Sequence, residues 1–331
     1  MDVRTMSTRT LGRTGRQVSE VGLGTWQLGA DWGDVSHDEA MAVLGAAADS
    51  GVTFFDTADV YGDGRSEQLI GEFRAADPAR DIFVATKMGR RAEQDPVHFT
   101  LDNFRAWTDR SRTNLGVDTL DLVQLHCPPT LVYSDDTVFD ALDTLVQEGV
   151  MAAYGVSVET VAEALTAIAR PHVASVQIIL NAFRLKPLDE VLPAAREAGV
   201  GVIARVPLAS GLLSGRYTSE TTFASDDHRT YNRSGEAFDV GETFSGVDYD
   251  TGVRAAQEFA AAVPEGVRPA QAAIAWILAQ DGVSAVIPGA RNVAQVRSNA
   301  GAATVELPDT FDATVHTIYD RDLREAIHPR W

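Results

Sequence analysis

Short apolar runs alternate with amphipathic stretches along most of this chain. The runs are VGLGTW (21–26), TFFDTA (53–58), IFVATK (82–87), LVQLH (122–126), AAYGVS (152–157), SVQIIL (175–180), GVIARV (201–206) and SAVIPG (284–289). None alternates strictly between apolar and polar residues, which suits strands buried on both faces of a parallel sheet. Between them lie the helix candidates HDEAMAVLGAAADSG, SEQLIGEF, TLDNFRAWTDRSRTNLG, TVFDALDTLVQEG, TVAEALTAIAR, PLDEVLPAAREAG, RPAQAAIAWILAQDG and NVAQVRSNA. Several open on Ser, Thr or Asp, or carry Pro in the first turn, and end in Gly, as capped helices do. Eight strand–helix units predict an α/β protein, a (β/α)8 TIM barrel. TRTLG, a turn at RTGR and QVSEV predict an N-terminal β-hairpin ahead of it. At 331 residues the chain reads as a single barrel domain over 1–331, with two ordinary domains as the competing division. A doubly wound dinucleotide fold would need G-x-G-x-x-G after an early strand. GLGTWQLG lacks the third glycine at that place and is read as a strand-end loop.

One connection breaks the rhythm. From about 216 to 250 runs an irregular stretch rich in Gly, Ser, Thr and Asp. Loops of that length are uncommon and usually functional or disordered. The aromatics Phe223, Tyr231, Phe238, Phe244 and Tyr249 argue for an ordered flap over the open end of the barrel. A surface insertion without function is the alternative.

Composition narrows the class. With 45% hydrophobic and 23% charged residues, the chain has the balance of a soluble globular protein. No apolar run approaches the ~18 residues of a membrane span, and MDVRTMSTRT has no apolar signal core. Cys127 is the only cysteine, so no intrachain disulfide or thiol cluster is expected, and a cytoplasmic location is the default. A net charge of −19 disfavours nucleic acid and anionic membranes as partners. It fits a halophilic source, or a GC-rich genome that favours Arg over Lys. His98, His172, His228, His316 and His328 show no ligand spacing with each other or with Cys127, so no metal site is expected.

The candidate chemistry sits on three successive strand ends. Asp56 and Tyr61 lie in FFDTADVYGDG, Lys87 closes IFVATK, and His126 closes LDLVQLH. A barrel collects its chemistry at the C-terminal ends of its strands. There, Asp56, Lys87 and His126 converge, with Tyr61 in the loop just beyond. Such a group can protonate a carbonyl oxygen while a hydride arrives at its carbon. Tyr61 would supply the proton. A free phenol has a pKa of about 10, and the Lys87 charge is expected to stabilise the phenolate and lower that value. Asp56 would keep Lys87 charged and oriented, and His126 would hydrogen-bond the substrate oxygen. Of 28 basic residues only Lys87 and Lys186 are lysines. Arg at position 87 would be bulkier and unable to share a proton with Tyr61. A purely structural ion pair explains Asp56 and Lys87 alone but leaves Tyr61 and His126 without a role.

These motifs resemble the aldo-keto reductase superfamily over residues 9–305. The resemblance rests on GLGTWQLG, FFDTADVYGDGRSEQLIGE, IFVATK, LDLVQLH, VPLASGLLSGRY and IPGARNVAQVRSN. It implies a barrel that binds NADPH, with NADH as a second cofactor, and reduces an aldehyde or ketone. Asp56, Tyr61, Lys87 and His126 are the catalytic positions it implies. Its cofactor positions begin with Gly24, Thr25, Trp26 and Asp56. Ser157 and Gln177 would hold the nicotinamide carboxamide, although Val158 replaces the Asn common after that Ser. Arg205 takes the ring-stacking position where many members have an aromatic. A guanidinium can stack on the ring and should favour the reduced cofactor over the cationic oxidised one. Val206, Pro207, Leu208, Ser210, Gly211, Leu213, Gly215 and Arg216 would lie along the pyrophosphate. Gly289, Ala290, Arg291, Gln295 and Asn299 would hold the 2′-phosphate and adenine at a helix N-terminus. Gly289-Ala290 replaces the Lys-Ser of some members, and Arg291 can restore that charge.

The implied partner is a small-molecule carbonyl compound, and no signal of oligomeric state is present. Trp26, Trp32 and Tyr133 either line the substrate pocket or pack the barrel rim. The flap is expected to cross the pyrophosphate and act sterically, with Phe238 and Phe244 excluding water. Some superfamily members are instead slow cofactor-binding regulatory subunits, such as the β subunits of potassium channels, and an intact tetrad fits such a redox sensor too. A Schiff-base enzyme built on Lys87 would have no use for the Tyr–His pair.

Overall fold

The computed structural model describes residues 6–29, 35–225, 227–237 and 239–331, so Trp32 and Phe238 lie outside the described residues. An antiparallel hairpin, β1 (Thr8–Thr10) and β2 (Gln17–Ser19), opens the chain. Eight strands follow: β3 (Leu23–Gly24), β4 (Phe54–Asp56), β5 (Phe83–Met88), β6 (Leu122–His126), β7 (Tyr154–Ser157), β8 (Val173–Ile179), β9 (Gly201–Arg205) and β10 (Val283–Val286). They pair in parallel in chain order. The sheet closes where Val21 bridges Val286 and Gly24 bridges Gly289. Each predicted apolar run carries one of these strands.

Two apolar layers explain why the runs do not alternate. Phe54, Phe83, Ala85, Leu122, Ile203 and Ala285 fill the barrel interior. Their sequence neighbours Phe55, Val84, Val123 and Val202 face outward into the larger core beneath the helices. Leu11 and Val18 of the hairpin join the interior cluster and stop the N-terminal end of the barrel. Gly12 permits this approach, because a Cβ there would lie 2.0 Å from the Gly201 nitrogen.

Most helices begin and end where their caps predict. Ser36 and Glu39 form a capping box on His37–Asp49, and Thr160 and Glu163 form one on Val161–Ile168. Leu101–Leu115 runs from the Thr100 cap to a left-handed Gly116. Two long helices were not anticipated. Tyr249–Ala262 starts inside the stretch read as irregular and buries Val253, Ala255, Ala256 and Phe259. Thr310–Asp322 packs on it through Phe311, whose ring centroid lies 5.3 Å from that of Phe259.

Among the described residues of 216–248 the chain forms a short helix, His228–Tyr231, and two 3-10 turns. Phe244 packs on Tyr249 at 5.1 Å and on Phe223 at 5.8 Å, with Arg233 over both Phe244 and Tyr249. The ring of Trp331 fills the space beside Gly241 and Gly246, where a Cβ on Gly246 would lie 2.3 Å from it. The indole donates to Asp239 Oδ1 at 3.0 Å. Phe244 is therefore buried in the flap's own core, 2% exposed, and not at the barrel mouth as expected.

Candidate active site

The parallel register carries Asp56, Lys87 and His126 to the same end of the barrel on β4, β5 and β6. Lys87 and Asp56 are 1% and 2% exposed, so neither charge is solvated. The ammonium donates to Asp56 Oδ1 at 2.5 Å, to the Thr57 carbonyl at 2.8 Å and to the Tyr61 hydroxyl at 3.4 Å. Asp56 Oδ2 accepts from Gln177 at 2.7 Å and from Gln124 at 3.2 Å. The His126 ring meets the Tyr61 ring edge-on, 6.0 Å between centroids. The Trp26 ring stacks on that of Tyr61, 6.1 Å between centroids. All four predicted residues thus meet in one place.

Short side chains fix the loop that carries Tyr61. Thr57 donates to Ser66, Ser66 to Thr25, and Thr25 to the Asp56 carbonyl, all within 2.8–2.9 Å. Gly62, at φ 59°, touches the Trp26–Gly29 turn so closely that a Cβ would lie 1.8 Å from the Gly29 carbonyl oxygen. Any side chain at position 62 would push Tyr61 away from Lys87.

The charges settle differently from the sequence-based expectation. Burial pushes the Tyr61 hydroxyl above its ordinary pKa, and the Lys87 charge opposes this without outweighing it. For Lys87, burial disfavours the ammonium, but Asp56 and then Tyr61 more than offset that, so it is held above its ordinary value. Burial, followed by Arg90 and Lys87, drives His126 well below its ordinary value. At neutral pH the group is a neutral phenol, a neutral imidazole and a charged amine.

The same loop holds a further carboxyl, between Asp56 and Tyr61, that had no assigned role. Asp59 is fully buried, and burial followed by Glu67 raises its pKa to about 7. The Val60 amide and the Arg91 and Arg110 guanidiniums offset only part of this. The ordinary value is about 3.9. The folded state therefore keeps a proton that the unfolded chain has already released, and stability falls as pH rises from about 4 to about 7. Asp59→Asn should stabilise the protein by on the order of a few kcal/mol above that window and change little below it. Thermal melts at both ends of the range check this, and an equal shift at both ends would contradict it.

A second charged group stands at the mouth. Arg205, at the end of β9, donates to Glu159 Oε2 at 2.9 Å and to the Val158 carbonyl at 3.1 Å, and its Nη1 lies 3.5 Å from Glu242 Oε1. Arg90 lies 3.8 Å from a carboxylate oxygen of each acid. Glu242 comes from the flap. The flap therefore reaches the site through a charge, and also through His228, whose ring lies 5.7 Å from that of Trp26. Of the two side chains expected to act sterically, Phe244 packs inside the flap and Phe238 lies outside the described residues. Cys127, Glu159 and Glu242 also bring donor atoms within 4.8 Å of one another, a trio too scattered along the chain to show as ligand spacing. Arg90 and Arg205 already balance its carboxylates.

The remaining predicted positions form a rim around this end. Ser157 accepts from the Cys127 thiol at 3.3 Å, and its carbonyl accepts from the buried Tyr133 hydroxyl at 2.9 Å. Tyr133 therefore packs the rim and does not line a pocket. The Gln177 amide nitrogen is engaged with Asp56 and Gln124. Val206 and Ser210 adopt left-handed backbone in the turn that runs Pro207, Leu208, Gly211, Leu213, Gly215 and Arg216. Ser210 Oγ donates to the Glu242 carbonyl at 2.9 Å and accepts from the Phe244 amide at 3.0 Å. Gly24 and Gly289 lie side by side at the closing seam, with Ala290 buried next to them. Arg291 is exposed ahead of the helix Val293–Ala300, and its amide donates to Gln295 Oε1 at 2.7 Å. Asn299 donates back to the Gly289 carbonyl at 3.2 Å.

Residues 20–320 match the family model described as the aldo/keto reductase family. The chain belongs to that family. It is 30% identical to the aldo-keto reductase yakc [NADP(+)] of Schizosaccharomyces pombe, covering 96% of this chain and 91% of the relative. It is 34% identical to the aldo-keto reductase str7 of Strobilurus tenacellus, covering 95% and 92%. Among solved structures, the glycerol dehydrogenase of Gluconobacter oxydans superposes with a TM-score of 0.79 at 28% identity, covering 100% of this chain and 99% of that one. An aldo-keto reductase of Bacillus halodurans in its holo form superposes at 0.76 and 26%, covering 95% and 96%. Within an aldo/keto reductase, Arg90, Glu159, Glu242 and His228 are groups at this end that no motif pointed to, because none stands in one.

Proposed function

We propose that this aldo/keto reductase is an NADPH-dependent carbonyl reductase in which Tyr61 protonates the carbonyl oxygen. The observation that carries the reading is the buried Lys87 ammonium, held between Asp56 and the Tyr61 hydroxyl at the C-terminal end of the barrel. The relative whose name specifies NADP(+) supports the cofactor.

The residues present suit that cofactor. Ser157 and Gln177 would hold the carboxamide and Arg205 the ring, with the turn from Val206 to Arg216 along the pyrophosphate. The exposed Arg291 guanidinium and the helix N-terminus behind it suit a phosphate. When bound, NADPH supplies the hydride for the carbonyl carbon. Tyr61, kept neutral by burial, holds its proton ready for the oxygen. The phenolate left behind would lie beside Lys87, whose charge stabilises it. His126, kept neutral by burial and by its cationic neighbours, offers an N–H to the same oxygen without adding a competing proton donor.

Cofactor choice tests the reading at the far end of the site. Arg291→Ala should reduce the preference for NADPH over NADH by about tenfold, the loss of one charge-assisted contact to the 2′-phosphate. Fluorescence titration with both cofactors checks it. Equal affinity of the unaltered protein for both would overturn the assignment of Arg291.

A further inference from the structure

Four charged side chains from three separate strand ends and the flap meet at the barrel mouth. Arg90, Glu159, Arg205 and Glu242 are mostly buried, with 25%, 15%, 9% and 15% of their side-chain surface exposed. Their contacts run from 2.9 to 3.8 Å, and each carboxylate faces both guanidiniums. With both acids ionised the group is neutral. With one proton on the pair it carries a single positive charge.

We propose that the Glu159–Glu242 pair sets the redox preference of the cofactor site, by deciding how much of the Arg205 and Arg90 charge an oxidised nicotinamide meets. This rests on the reading above that the nicotinamide ring lies against Arg205. The oxidised ring is cationic and the reduced ring is neutral, so the charge of this group acts on NADP⁺ and leaves NADPH nearly untouched. The rest of the cofactor, the 2′-phosphate included, is common to both forms and cancels in the ratio of their affinities.

Among the groups that face Arg90 and Arg205, the pair is the one that changes charge; Asp59, also raised to about 7, titrates alike in the unaltered protein and in both variants. Burial drives the Glu159 carboxyl up to about 7. For Glu242 burial acts upward too, but Arg205 and Arg90 hold it below its ordinary value. Burial pushes the Cys127 thiol up to about 12 and His228 down to about 4. Tyr133 and Tyr61 are both raised by burial and stay neutral. Arg184, lowered by burial only to about 10, and Asp239 face Glu159 with opposite charges.

The test is the dissociation constants of NADP⁺ and NADPH for the whole protein, by fluorescence titration at about pH 6 and about pH 8.5, either side of the carboxyl titration. In the unaltered protein the ratio of the NADP⁺ constant to the NADPH constant should fall roughly tenfold between the two, as the pair loses its shared proton. That is a shift of about 30 mV in the potential of the bound couple. In Glu242→Gln and in Glu159→Gln the remaining carboxyl ionises at lower pH, the net charge stays at one, and the ratio should keep its acid-side value throughout. A pH-independent ratio in the unaltered protein would overturn the proposal, as would variants that follow the unaltered protein. If neither form of the cofactor bound, the carbonyl-reductase reading itself would fail. Binding with an unmoved ratio would sink this inference alone.

Discussion

Tyr61→Phe is expected to lower kcat for carbonyl reduction by about 10²–10⁴-fold and to leave NADPH affinity within a few-fold of its starting value. The hydroxyl is what the substitution removes, and on the proposed mechanism it acts only as the carbonyl oxygen gains negative charge. Interactions made in the transition state alone affect kcat and not ground-state binding. The ring itself remains, so its stacking with Trp26 and its edge contact with His126 survive. The pH dependence has a definite sign. On the proposed mechanism reduction needs the protonated phenol, and Tyr61 is held above its ordinary value. The rate should stay level through neutral pH and fall only in alkali, above about pH 10. A loss of less than about tenfold in the variant would assign the proton to another group.

Lys87→Met is expected to damage both activity and stability. It leaves the Asp56 carboxylate buried without its cation, keeping only the amides of Gln124 and Gln177 as donors. Breaking one side of a buried ion pair typically costs about 3–5 kcal/mol. Replacing both sides is far milder, because no unpaired charge remains. The double variant Asp56→Asn with Lys87→Met should therefore recover most of the stability in denaturant melts, while turnover stays low for want of the cation beside Tyr61. If turnover recovered along with stability, Lys87 would be a structural partner and nothing more.

The barrel was legible because its interior and exterior layers are both apolar. That turns each strand into an unbroken run such as IFVATK and each helix into a capped amphipathic stretch. The four candidate catalytic residues were legible for a related reason, since a strand end is a fixed place in this fold and rare residue types stand out there. Lys87 does so in a chain with one other lysine.

What was hidden depends on contacts far apart in sequence. Glu159 and Glu242 are ordinary acids among 47, and only the folded chain places them against Arg205 and Arg90. The segment 216–248 packs on Trp331, far away in sequence, and on its own aromatics, whose presence was legible but whose contacts were not. The helix Tyr249–Ala262 was obscured because its polar first turn continues the composition of the flap. The direction of the Tyr61 pKa was misjudged for a physical reason. Sequence names the charged neighbour, but burial outweighs that neighbour and cannot be read from the motif.

Carbonyl reduction is tested most directly by incubating the protein with NADPH and a panel of aldehydes, ketones, sugars and quinones, while following NADPH consumption and alcohol formation together. The structure predicts sustained turnover with at least one class, one alcohol formed per NADPH consumed, lost in Tyr61→Phe. Tight NADPH binding with oxidation of a single bound equivalent and no sustained turnover on any carbonyl would contradict that, and would favour a slow redox-sensing subunit built on the same four residues.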